Sequence, residues 1–306
     1  MEFENKNILV IGAGISGFAA AKISKKFGAN VTLSDAKNES DLKKYNFDEL
    51  RELGINLSFG AQTDELLNGV DLIIVSPAVP LRIPILQTAL QKNISIISEV
   101  EMAYNLAKSP IFAITGTNGK TTTTTLLGLL LETQYKKVGV GGNIGVALSE
   151  VALETGAGGA IAAEISSYQM EATNNFKPHI SAILNITPDH LKRHGTMAIY
   201  QEMKEKIFAQ ETAEDFLVLN YDDEIVREIK NRAGCKVLYF SRKKILDEGA
   251  YLDGDKLVIN YGGKISELCT VDELGIKGSH NVENALCAAL MAFLVNCTAE
   301  NIGRVL

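Results

Sequence analysis

Lys120 and Thr121 close the stretch "GTNGKT" (residues 116–121), which follows the β-rich run "IFAIT" and opens a stretch patterned as a helix. These residue types fit phosphate chemistry. Glycines let backbone N–H groups of residues 116–121 approach phosphate oxygens, Lys120 adds a mobile positive charge, and the Thr121 hydroxyl can ligate Mg²⁺. The spacing is G-x-x-G-K-T, not the longer G-x-x-x-x-G-K-[ST]. Where the longer form has its first glycine this chain has Ile114, and the glycine comes at 116. The threonine run 121–125 has poor helix propensity, so local stability does not explain it.

A phosphate loop that works with magnesium needs a carboxylate at the end of a neighbouring strand. Glu164 ends the apolar run "GAIAAE", where the chain turns polar, and so is expected at the crevice where open α/β sheets bind ligands. A further apolar run, "ISAILNI" (180–186), leads to "TPDHLKRHG", which sets Asp189 and His190 at the equivalent edge. Histidine can bind a metal and aspartate can support it. In "AIYQEMKEKIFAQ" the helical rows are Ile199, Met203, Ile207 and, beside it, Tyr200, Lys204, Phe208. Lys204 thus lies on the apolar face between two aromatics, either snorkelling to the rim of the core or serving in the crevice.

A second glycine loop, "VIGAGISG", carries Gly12, Gly14 and Gly17 as G-x-G-x-x-G, and Asp35 closes the next β-rich run. Such a loop admits a diphosphate at a helix N-terminus, and the acidic residue can accept from a ribose or a base edge. Taken alone it suggests a nicotinamide-dinucleotide oxidoreductase, yet no hydride-transfer partner is apparent.

The elements that position these residues follow from patterning. Short apolar runs at 7–11, 30–34, 71–76 and 94–97 alternate with helical stretches, and a second series covers 111–115, 159–164, 180–186, 216–220 and 236–240. The expected fold class is α/β: a Rossmann-like parallel-sheet N-terminal domain (1–100), then a P-loop NTPase-like central α/β domain (101–306), with the boundary near 100–108. Residues 249–276 read as an inserted hairpin, and the chain closes on the apolar helix "HNVENALCAALMAFLVN". The 306 residues suffice for two domains. A net charge of −7 argues against a nucleic-acid binder that works by a basic face. The four scattered cysteines suit a reduced cytoplasm, the N-terminus lacks a signal-peptide pattern, and the 11-residue run "ALCAALMAFLV" is too short to span a bilayer.

With "TGTNGKTTTT", "EISSYQME", "NITPDHLKRHG" and "YQEMKEKIF" together, the chain resembles the Mur ligases, ATP-dependent enzymes that build the peptide stem of bacterial peptidoglycan. "GAGISG", "SPAVP" (76–80), "GGNIG" (141–145) and "EISSYQME" favour the branch that joins D-glutamate to UDP-N-acetylmuramoyl-L-alanine. The resemblance implies ATP contacts from Thr115, Gly116, Thr117, Asn118, Gly119, Lys120, Thr121 and Thr122, with Asn281 and Asn284 near the adenine. It implies one Mg²⁺ on Thr121 and Glu164, and a second held by His190 and a carbamylated Lys204. Lys120, His190 and Lys204 become the implied catalytic residues. UDP-substrate contacts are implied at Gly14, Ile15, Ser16, Gly17, Asp35 and Lys37, with Asn143 and His190 on the muramoyl part. The implied protein is a cytoplasmic monomer with no nucleic-acid or membrane partner.

Three departures from the family pattern stand out. Ala78 replaces a usual glycine, Ala36–Lys37 replaces a usual Thr–Arg pair, and the third, amino-acid-binding C-terminal domain is absent from the 306 residues. The expectation is a piece that binds substrate but turns over little. The competing class is a non-catalytic nucleotide-binding regulator, against which the joint presence of Lys120, Thr121, Glu164, His190 and Lys204 speaks.

Overall fold

The computed structural model describes residues 2–42 and 45–306 as two compact units. The first comprises Met1–Ala107, Gly145–Leu153 and Tyr168–Phe176, and the second Lys108–Ile144, Glu154–Ser167 and Lys177–Leu306.

In the first unit, β1 (Asn7–Ile11), β2 (Asn30–Asp35), β3 (Asn56–Phe59), β4 (Leu72–Val75) and β5 (Ser95–Ser98) form a parallel sheet in the order β3-β2-β1-β4-β5. β1 and β4 are buried almost throughout, as strands covered on both faces must be. Strand order reverses between β1 and β4, so a crevice opens at their C-terminal ends. The helix Ile15–Lys26 starts there, directly after the first glycine loop.

Two short segments from beyond residue 140 belong to this unit, and buried carboxylates explain how. Glu101 accepts hydrogen bonds from the amides of Asn174, Asn175 and Phe176 at 2.9–3.1 Å. Glu99 accepts from the Ser149 amide at 2.6 Å, and burial pushes its carboxyl up to about 7. Both lie on the helix Glu99–Leu106.

In the second unit, β6 (Ile111–Thr115), β7 (Val138–Gly142), β8 (Ala160–Glu164), β9 (Ile180–Ile183), β10 (Phe216–Asn220) and β11 (Lys236–Ser241) are parallel. They continue into β12 (Gly249–Asp253), β13 (Lys256–Tyr261) and β14 (Lys264–Thr270), giving the order β14-β13-β12-β11-β10-β9-β6-β8-β7. The stretch 249–276 is therefore not an inserted hairpin. It forms three strands that extend the sheet, β12 pairing parallel with β11 before two antiparallel returns. The run "ISAILNI" is strand only to Ile183, because the backbone beyond it turns to the phosphate loop. β3 and β7 were not anticipated.

The apolar run near the C-terminus is a core helix, Ser279–Phe293, packed on the helix Lys120–Leu131. Each leucine it buries contributes about 2 kcal/mol of hydrophobic stabilisation. Among the described residues no helix is long and apolar enough to cross a membrane.

Candidate active site

The second unit gathers its chemistry at the C-terminal ends of three adjacent strands. β6 leads into the loop 116–119, β8 ends on Glu164, and β9 runs on to Asp189 and His190. Gly119 stands before the helix Lys120–Leu131 with φ +85°. A Cβ there would also lie 2.4 Å from the side-chain oxygen of Asn284, so backbone conformation and packing both demand glycine. The first turn of that helix leaves the amides of Lys120, Thr121 and Thr122 without intrahelical partners, a ready anion site.

Thr121 Oγ1 donates to Glu164 Oε2 at 2.7 Å, and Asn143 Nδ2 donates to Glu164 Oε1 at 2.8 Å. Glu164 is buried, and these two side chains occupy both of its oxygens. The Lys120 ammonium folds back on its own loop, donating to the carbonyls of Gly116 and Thr117 at 3.0 and 2.9 Å. Burial lowers its pKa, while the charges of Glu164 and Asp189 pull it back up.

Lys204 lies on the buried face of the helix Met197–Glu205, whose start Thr196 caps by accepting from the Ile199 amide. Its ammonium donates to the Gly116 carbonyl at 2.7 Å and sits 4.5 Å from the centre of the Tyr200 ring. Burial, and then the Lys120 charge, lower its pKa to about 7. Ile199, placed by its spacing in an apolar row, is 42% exposed, because the helix buries the neighbouring row of Tyr200 and Lys204 instead.

His190 is half-exposed in a left-handed backbone conformation, with Nε2 3.4 Å from Asp189 Oδ2. Its ring centre is 6.2 Å from that of Tyr200. Four residues beyond His190, the buried His194 shares a hydrogen bond of 3.0 Å with Ser167.

Two side chains that were not singled out shape the loop. Asn185 Oδ1 accepts from the amides of Thr117 and Asn118 at 3.1 and 2.8 Å. The Tyr200 hydroxyl is 3.2 Å from the Thr117 hydroxyl. In the sequence Asn185 falls within the apolar run 180–186; a polar side chain near the end of that run was the available signal.

The remaining expected nucleotide residues are distributed as follows. Thr115 is fully buried within β6. Gly116, Thr117 and Asn118 form the loop itself, and Thr122 stands in the first helical turn. Asn284 is buried, accepting from Thr123 at 3.1 Å and donating to Asn281 at 2.9 Å, so the pair packs beneath the loop.

The first unit holds a separate site. Its glycine loop follows β1, and Asp35 braces it: Oδ2 accepts from the Ala13 amide at 2.8 Å and Oδ1 from the Lys37 amide at 2.9 Å. The glycines differ in purpose. A Cβ at Gly17 would lie 1.8 Å from the Gly12 carbonyl oxygen, whereas one at Gly14 would meet nothing nearer than the Ser76 hydroxyl at 3.6 Å. Gly17 serves helix–strand packing, and Gly14 leaves open space above the loop. Ile15 is exposed, Ser16 half-buried and Lys37 exposed beside that opening turn.

Comparison with known proteins adds to this geometry. Residues 114–292 match the Mur ligase middle domain, and residues 6–98 match the N-terminal domain of the MurD-like Mur ligases. The UDP-N-acetylmuramoylalanine–D-glutamate ligase of Thermoanaerobacter pseudethanolicus is 44% identical over 306 residues, all of this chain and 67% of the relative. The ligase of the same name from Clostridioides difficile is 39% identical over 308 residues, covering 100% of this chain and 68% of the relative. The chain thus spans about two thirds of the length of these relatives. Among solved structures, the UDP-N-acetylmuramate:L-alanyl-γ-D-glutamyl-meso-diaminopimelate ligase of Neisseria meningitidis shares the fold at a TM-score of 0.68 and 20% identity, over 99% of this chain and 97% of that one. The UDP-N-acetylmuramate–alanine ligase of Thermotoga maritima does so at 0.58 and 24%, over 98% and 67%.

Proposed function

Because the chain belongs to the Mur ligase family, we propose that it serves the ATP-dependent ligation of D-glutamate to UDP-N-acetylmuramoyl-L-alanine in peptidoglycan synthesis. The observation that carries this reading is the contact of Thr121 with Glu164 at the mouth of the phosphate loop, with Lys120 beside it. A hydroxyl and a carboxylate brought together at a helix N-terminus are what a magnesium nucleotide requires.

The residues fit one Mg²⁺ well. Thr121 and Glu164 offer hard oxygen donors, and among the described residues no three His, Cys, Asp or Glu side chains cluster as an all-protein cage. An ion here would lean on phosphates and water, as magnesium does, and would offset charge on the transferred phosphoryl group. A second ion needs more than the residues as they stand, since an ammonium such as that of protonated Lys204 only donates. A carbamate on Lys204 meets the need. A neutral amine adds to CO₂, forming the N–C bond and releasing a proton, and a lysine whose pKa has fallen to about 7 is substantially neutral at physiological pH. His190, held by Asp189, would be the partner ligand.

In the reaction, the substrate's terminal carboxylate attacks the γ-phosphorus, the bond to the β,γ-bridging oxygen breaks, and ADP leaves. The D-glutamate amine then attacks the acyl phosphate carbon, phosphate departs, and the amine proton passes to solvent. Lys120 and the helix-terminal amides hold the phosphates and stabilise developing charge. Asn143, tied to Glu164, and His190 would orient the muramoyl end. The first glycine loop would carry the UDP diphosphate above Gly14, with Asp35 and Lys37 at the nucleoside. Asn281 and Asn284 would border the adenine. The protein acts as a cytoplasmic monomer on this reading.

Titration with UDP-N-acetylmuramoyl-L-alanine, MgATP and NADH tests it. Saturable binding of the first two supports the ligase; saturable binding of NADH alone points to an oxidoreductase.

A further inference from the structure

The shortened loop raises a question that its own residues do not answer. It has two residues fewer between its glycines than the longer phosphate loop, yet it must hold an open shape without a ligand. The answer lies on the next segment. Beyond the end of β9 the backbone stays laced to the loop: the Leu184 amide donates to the Thr115 carbonyl at 3.0 Å, and the Thr117 amide to the Asn185 carbonyl at 2.9 Å. The Thr187 amide donates to the Thr117 hydroxyl at 3.0 Å, and that hydroxyl donates to the Thr187 carbonyl at 3.2 Å. The Asn185 side chain completes the lacing. Its oxygen takes both the Thr117 and Asn118 amides, and its Nδ2 donates to the Asn118 carbonyl at 3.1 Å.

We propose that Asn185 is a positioning residue for nucleotide: it caps the Thr117 and Asn118 amides from outside, turning them away from phosphate and leaving the amides from Gly119 onward to face it. Asn185 does not touch the reacting atoms. It divides the loop into a braced half, 117–118, and a binding half, 119–122. Because residues 184–187 lead directly to Asp189 and His190, the same lacing holds the His190 segment in register with the loop. This rests on the nucleotide-binding reading above.

The test is an amide-resolved NMR titration of the 306-residue chain with MgATP, alongside Asn185→Ala and Asn185→Asp. In the unaltered chain the amides of Gly119–Thr122 should shift on titration, while those of Thr117 and Asn118 barely move and exchange slowly with solvent. Asn185→Ala should lose that protection at Asn118, while the Thr117 amide keeps its bond to the backbone carbonyl of residue 185, and should bind MgATP about tenfold more weakly, the loss of about one net hydrogen bond's worth of positioning. Asn185→Asp, which keeps the acceptor oxygens, should restore slow exchange. MgATP binding by Asn185→Ala within twofold of the unaltered chain overturns the inference. So do the largest nucleotide-induced shifts falling on Thr117 and Asn118, a result that needs no variant to fold. If the unaltered chain binds no nucleotide, the functional reading itself fails, and the inference with it.

Discussion

Lys120 and Lys204 end on the same atom, the carbonyl oxygen of Gly116, at 3.0 and 2.7 Å. Two ammonium groups on one acceptor repel each other, and that repulsion adds to burial in lowering Lys204. Covalent conversion of Lys204 to an anion would turn the repulsion into attraction.

Intact-mass analysis at neutral pH with bicarbonate should therefore show a species about 44 Da above the sequence mass, the increment of one CO₂. It should vanish in acid and be missing from Lys204→Ala. An unaltered mass under both conditions would count against the carbamate.

Glu164 accepts from Thr121 and Asn143 at once. Glu164→Gln keeps the shape and removes the charge. Isothermal titration should find ATP affinity reduced about tenfold or more in the presence of Mg²⁺. Adding EDTA should make little further difference to the variant, whereas it should weaken binding to the unaltered chain.

The first loop separates packing from binding. Gly17→Ala forces a Cβ to 1.8 Å from the Gly12 carbonyl oxygen, so urea unfolding should show a loss of about 2 kcal/mol or more. Gly14→Ala finds room, and its unfolding midpoint should stay near that of the unaltered chain. UDP-substrate affinity should nevertheless fall in Gly14→Ala, because the added methyl occupies the space left for the diphosphate.

Away from the site, Glu211 is buried with Cys235 Sγ donating to it at 3.0 Å, and burial pushes its carboxyl up to about 8. Its folded pKa is above its unfolded value of 4.5. Between these values the folded state binds more protons, so stability falls as pH rises from about 5 to 8, by at most about 1.4 kcal/mol per pH unit. Chemical denaturation across that range should show the slope, and Glu211→Gln should remove its own share, most visibly between about pH 7 and 8, above the range in which the buried Glu99 contributes in the same direction.

Much of the fold could be read from patterning because fully buried parallel strands such as β1, β4 and β8 are nearly continuous apolar runs. The exceptions have physical causes. β3 is only partly buried, and its residues "NLSF" lack that apolar signal. β7 reads "VGVGG", whose glycines dilute the β-branched signal that marks a strand; at Gly142 a Cβ would lie 2.4 Å from the Glu164 carbonyl oxygen. Residues 184–186 are apolar enough for strand but serve the loop. In the candidate site, Thr121 stood out through the loop pattern "GTNGKT", and Glu164 and Lys204 because a charge in an apolar frame is conspicuous. Asn185 was not, since its function depends on a contact 67 residues away that spacing does not encode.

The central claim is tested most directly by calorimetric titration of the chain with UDP-N-acetylmuramoyl-L-alanine and, separately, with the UDP-muramoyl dipeptide that ligation would yield. The account predicts saturable, one-to-one binding of the monopeptide substrate, at least about tenfold tighter than the dipeptide. Equal or tighter binding of the dipeptide, or no binding of either, would contradict it.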